Sequence, residues 1–180
     1  REGRKKTLLN FINSIKQFNL FTFCNNNTPK QESTYVFFGI FSIVFVFSTM
    51  YSMPHTLRSQ YAPLIEIIYH SVLIISSMFL TYPIWPTTFR YQNFMPIFWL
   101  TSLFYILVFV GSLQIIISNF GQFQLMIFLL SIVVLAILVR WQIALFFMLS
   151  GTFLSLQFFK WYIGVDSVSA NLGSIHLNAY

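Results

Sequence analysis

Five apolar runs of about twenty residues, the length needed to cross a hydrocarbon core of about 30 Å, take up most of this chain. They fall at Tyr35 to Met53, Leu64 to Trp85, Pro96 to Ser118, Gln122 to Val139 and Gln142 to Tyr162. Residues 122 to 162 read as two helices, because at about 1.5 Å per residue a single one would be roughly twice the thickness of the bilayer core. Arg140 and Trp141 mark the hairpin between them. Hydrophobic residues make up 57% of the chain and charged residues only 8%, against roughly 25% charged in a soluble domain. That is too little charge to coat a globule of this size in water. The expected fold is all-α, a polytopic transmembrane helix bundle of about five helices with an N-terminal amphipathic helix.

The breaks between runs carry the punctuation such a bundle needs. Pro54 and Pro63 bracket the first, Pro83, Pro86 and Pro96 the second, and Asn119 with Gly121 make the third a tight turn. Trp85, Trp141 and Trp161 fall near the ends of runs, where an interfacial belt places them. Ahead of the first run, Leu8, Phe11, Ile12, Ile15 and Phe18 recur at helical spacing. An amphipathic helix over Lys6 to Phe23 would lie in the membrane interface or pack on a partner. The polar stretch Cys24 to Ser33, with three asparagines and Pro29, should break it. The chain divides into a basic leader with the interfacial helix (1–34), a transmembrane bundle (35–164) and a tail (165–180). The lone Cys24 excludes an internal disulfide.

A net charge of +6 would ordinarily suggest nucleic acid, but six of the ten basic residues, from Arg1 to Lys30, precede the first apolar run. They read as a cytoplasmic flank facing anionic headgroups, with no nucleic-acid partner. With the amino terminus inside, Arg90 and Arg140 join these six, and only Arg58 and Lys160 lie outside. Eight against two is the bias expected of cytoplasmic loops. The chain opens on Arg1 with no signal-peptide pattern, and both ends read as cuts from a longer protein. Five crossings leave the tail outside, so a cytoplasmic output domain would need one further helix.

Polar residues within the apolar runs are few. Glu66 and His70 stand one helical turn apart, a spacing at which they can hydrogen-bond or share a proton. They are either a ligand- or proton-sensing pair or a mutually satisfied structural one, facing the bundle interior or a cavity. Gln114, Asn119, Gln122 and Gln124 gather around the third turn. Those side chains either offer hydrogen bonds to a small polar headgroup or cap two helix ends. Lys160 and Gln157 suit a snorkelling position, and His55 and His176 lie in loops without a second metal ligand nearby. No Walker loop, nucleophile elbow, paired carboxylates or metal-spaced cluster is present. The segment is expected to have no catalysis, cofactor or metal of its own.

From Trp85 a recognisable succession begins: Trp85-Pro86, Phe89-Arg90-Tyr91, Met95-Pro96, Phe98-Trp99-Leu100 and Ser102-Leu103-Phe104-Tyr105. After the Asn119 turn come Leu129-Leu130-Ser131-Ile132, Leu138-Val139-Arg140-Trp141 and Ser150-Gly151. Over about Tyr35 to Asp166 the chain resembles the membrane sensor of quorum-sensing-type histidine kinases of the CqsS and LqsS kind. The resemblance implies a homodimer in a bacterial inner membrane that binds a small amphiphilic signal, an alpha-hydroxyketone in that family, and drives a kinase domain downstream in the same chain. The candidate ligand-binding residues are Glu66, His70, Gln114, Phe120 and Gln124, the last two standing beyond the third turn where the family commonly has aromatic residues, a departure from its pattern. The chain departs from the family at Leu107-Val108, where a Leu-Pro step is common.

Two other classes compete with this reading. One is a structural or assembly subunit of a mitochondrial or bacterial membrane complex, which the Phe-, Ile- and Asn-rich composition would suit. The other is a transporter, against which stand only seven glycines and few intramembrane polar residues.

Overall fold

The computed structural model describes residues 20–86 and 94–163, and every regular element among them is helical. In chain order these are α1 (Leu20–Asn26), α2 (Glu32–Tyr51), α3 (His55–Gln60), α4 (Ala62–Thr81) with a 3-10 turn (Tyr82–Ile84), α5 (Phe94–Leu103), a π-helical segment (Phe104–Val110), α6 (Gly111–Ile117), α7 (Gln122–Leu138) and α8 (Trp141–Ile163). Four helices are long and apolar enough to cross a membrane: α2, α4 with its 3-10 turn, the continuous helix Phe94–Ile117, and α8. At 17 residues, α7 is apolar but shorter, about 25 Å long against a core of about 30 Å. The amphipathic helix expected over Lys6 to Phe23 lies mostly outside the described residues.

The polar break after the leader is narrower than its composition suggests. Helix α1 continues through Cys24, Asn25 and Asn26, because side chains beyond it satisfy its last carbonyls. Asn27 Nδ2 donates to the Phe23 carbonyl at 2.8 Å and Thr28 Oγ1 to that of Cys24 at 2.7 Å. Cys24 is buried, and burial pushes its thiol up from the ordinary value, as befits an unreactive packing residue. The connection between the first two spans also holds an unexpected element, the two-turn α3, which has no buried residue.

Helices α2 and α4 form an antiparallel pair. The buried positions of α2 include Tyr35, Phe38, Ser42, Phe45 and Thr49, alternating by three and four residues as in a coiled-coil seam. Opposite lie Ile65, Ile68, Val72, Ser76 and Phe79 of α4. Gly39 lets the two backbones close in, since a Cβ there would stand 3.0 Å from the Ser76 carbonyl oxygen, the small-residue contact that membrane helices use. Buried hydroxyls on α2 bond back to their own helix: Ser42 Oγ donates to Phe38 O at 2.7 Å and Thr49 Oγ1 to Phe45 O at 3.0 Å.

The helix Phe94–Ile117 forms the axis of the bundle. At its α5 end Trp99, fully buried, meets Tyr35, Phe38 and Phe79 with ring centroids 5.2, 5.1 and 5.7 Å away in edge-on arrangements, the geometry aromatic quadrupoles favour. Further along, the ladder widens to π over seven residues, where most π-helical stretches are single-turn bulges. Three neighbours hold this segment. Tyr105 OH and Ser71 Oγ of α4 are 2.7 Å apart. Ser131 Oγ of α7 donates to the Leu107 carbonyl at 3.1 Å. Gly151 of α8 packs against Val108 so closely that a Cβ would stand 2.6 Å from its Cγ1. Helix α6 ends in a Schellman motif, Phe120 N–H to Ile115 O at 3.0 Å and Asn119 N–H to Ile116 O at 3.2 Å. Its left-handed residues are Asn119 (φ 53°) and Phe120 (φ 59°).

Candidate ligand groove

The sequence-derived candidates separate into two places at one end of the bundle. Glu66 and His70, in the second and third turns of α4, line an open groove of about 420 Å³ with Phe47, Met50 and Tyr51 of α2 and Arg58 of α3. Both are exposed on the outer surface of the bundle rather than turned into its interior. The carboxylate–imidazole bond that their spacing allows is not the one formed. His70 Nδ1 lies 2.8 Å from the backbone carbonyl of Glu66. A carbonyl only accepts, so Nδ1 carries the proton and donates, which leaves the Glu66 carboxylate without a hydrogen bond or ion pair among the described residues. The i and i+4 geometry explains this, since a helical side chain leans back over the turn before it, where the carbonyl lies.

An aromatic wall backs the groove. Tyr51 stacks on Phe47 (6.2 Å, 17°), Phe47 meets Tyr69 edge-on (5.2 Å), and Tyr69 meets His70 edge-on (5.6 Å). The Arg58 guanidinium carbon stands 5.8 Å from the Tyr51 ring centroid, within cation–π range. Arg58 is the groove residue that sequence reasoning counted only as an outer charge. Its signal was position, a lone cation bracketed by Pro54 and Pro63, eight residues before Glu66.

Gln114, Phe120 and Gln124 sit at the α6–α7 turn. Gln124 is buried and donates through Nε2 to Ser52 Oγ at 3.1 Å, tying α7 to the end of α2. Gln114 is also buried, and its Oε1 finds no partner among the described residues. Phe120 is exposed. These three residues do not line the groove, and the contacts of Gln124 are those of a structural tie. Lys160 lies exposed in the last turn of α8. At the opposite end, Asn26 and Thr28 share a shallower hollow of about 340 Å³ with Arg140. Among the described residues no three His, Cys, Asp or Glu side chains gather as metal ligands would.

Comparison with protein-family models, with curated proteins and with solved structures yields no match to this chain.

Proposed function

We propose that this chain is the membrane signal-sensing bundle of a two-component sensor histidine kinase, transmitting the binding of a small amphiphile to a cytoplasmic kinase domain downstream. In this reading α7 crosses as a fifth, short span, the amino terminus is cytoplasmic, and the protein works as a homodimer in a bacterial inner membrane. The charge distribution along the sequence supports the orientation.

One observation carries the proposal. The groove residue His70 is followed directly by Ser71, whose hydroxyl is bonded to Tyr105 in the π segment of the axial helix. A ligand that shifts α4 therefore acts on the element around which the bundle packs, and π-helical segments often mark functional sites. Ligand binding would bias two helix packings, and a further helix would carry that bias to the kinase.

The test is autophosphorylation of the natural full-length protein in proteoliposomes, with and without amphiphile extracts. Wild-type protein is expected to respond, while Tyr105→Phe keeps basal phosphorylation and loses the response. A natural full-length protein that forms no phosphohistidine under any condition overturns the reading. Purification in fixed stoichiometry with other membrane subunits would instead favour a structural role in a membrane complex.

A further inference from the structure

The groove offers two opposite charges at the edge of a surface otherwise made for lipid. Glu66, exposed on a helix apolar and long enough to cross a membrane, has no cationic partner among the described residues. A carboxylate in that setting is costly unless an opposite charge meets it. Arg58, exposed on the short α3, stands over the Tyr51 ring and has no carboxylate partner among the described residues. The rings of Tyr51, Phe47 and Tyr69 line the same groove. Aromatic faces beside a carboxylate are the usual surroundings of a bound ammonium group, and a guanidinium is the usual partner of a phosphate.

Below the groove the surface turns apolar in a defined direction. On α2 the groove residues Tyr51 and Phe47 continue a stripe through Val44, Ile40 and Phe37, all three exposed. On α4 the series Glu66, His70, Ile74 keeps the same helical spacing, and Ile74 is exposed. The two helices pair along their length, so these stripes flank one seam running from the groove toward the other end of the bundle.

We propose that the groove binds the headgroup of an aminophospholipid drawn from the bilayer. Its ammonium is held between Glu66 and the Phe47 and Tyr69 rings, its phosphate is held by Arg58, and one acyl chain lies in the seam between α2 and α4. A headgroup carrying only an anion leaves Glu66 unmatched, and an uncharged diacyl lipid leaves both charges unmatched. The site therefore selects by zwitterionic headgroup and not by tail. This names the class of ligand for the sensing reading and rests on it for its physiological meaning, whereas the binding is a property of the groove alone.

The experiment is thermal unfolding of the purified chain in maltoside detergent, titrated separately with short-chain phosphatidylethanolamine, phosphatidylglycerol and diacylglycerol. Native mass spectrometry of the same mixtures counts bound lipids. Phosphatidylethanolamine is expected to give a saturable rise in midpoint and a single retained adduct, with the other two at least tenfold weaker. Glu66→Gln and Arg58→Gln should each weaken phosphatidylethanolamine binding about tenfold, the equivalent of about 1.4 kcal/mol, and Glu66→Asp should keep most of it. Equal binding of all three lipids overturns the proposal even if no variant folds, as does undiminished binding by a folded Glu66→Gln. A failure here leaves the phosphorylation test of the sensing reading unaffected, and the reverse also holds.

Discussion

The axial helix Phe94–Ile117 and the outer helix α8 are both apolar enough to span a membrane, yet 72% of the most apolar window of the first is buried and only 28% of that of the second. Apolarity does not decide which helix goes to the middle, because lipid tails are as apolar as leucine and give helices no hydrophobic reason to associate. The difference lies in what each presents to neighbours. The axial helix buries Trp99 in an aromatic cage and Gly111 against the Phe128 ring, and it is hydrogen-bonded to its neighbours at Tyr105 and at the Leu107 carbonyl. Helix α8 turns Phe146, Leu149, Phe153 and Leu154 outward and is joined to the axis through close-packed Gly151. Shape and buried polar contact, more than hydrophobicity, organise the bundle.

The sharpest challenge to that contrast is a pair of truncations. Trp99→Ala, at the centre of the Tyr35–Phe38–Phe79 cage, should cost about 3 kcal/mol, whereas Leu149→Ala on the exposed face of α8 should stay within about 0.5 kcal/mol. Unfolding in mixed micelles reads both, and equal losses would break the comparison. Next in size is Gly151→Val, which forces side-chain atoms into Val108 and should cost about 2 kcal/mol by overpacking. A neutral result would mean that α8 is not seated on the π segment as described. Phe120→Gly should instead stabilise by about 1 kcal/mol, since Phe120 adopts φ 59°, a conformation that strains any residue with a Cβ. A lowered midpoint would show that the Phe120 ring contributes more than its backbone strain costs. The smallest effect is expected from Ser131→Ala, which removes the bond to the Leu107 carbonyl and should cost about 0.6 kcal/mol, typical of hydrogen bonds between membrane helices.

Four of the five apolar runs form helices long enough to span, and these were legible in the sequence because length and proline punctuation encode them; the run at Gln122–Leu138 forms a shorter helix. Pro54, Pro63 and the Asn119–Gly121 turn all fall at or beside helix ends. The α3 turn went unseen because His55–Gln60 is polar and flanked by prolines, a composition that also suits a loop. The π segment went unseen because Phe104–Val110 is uniformly apolar, so no periodicity distinguishes five-residue from four-residue hydrogen bonding. At the site, Glu66 and His70 were found as rare polar residues in an apolar run, and they do share the groove. Their outward orientation was not readable, since a helix apolar on every face gives no pattern by which to tell inside from outside. For the same reason Gln114 and Gln124 were grouped with them, although the structure buries both away from the groove.

The widened turn at Phe104–Val110 also acts as an angular offset. One residue inserted into an α-helix rotates everything beyond it by about 100°, so the faces of α5 and α6 need not align. Helix α5 addresses α1 and the aromatic cage of α2 and α4, while the π segment and α6 address chiefly α7 and α8, beside the Tyr105–Ser71 bond to α4. A uniform α-helix would have to serve both sets of neighbours along one azimuth. With the offset, a single helix keeps two independently oriented interfaces, and a shift of one residue in the position of the π turn would re-aim one of them while leaving the other in place.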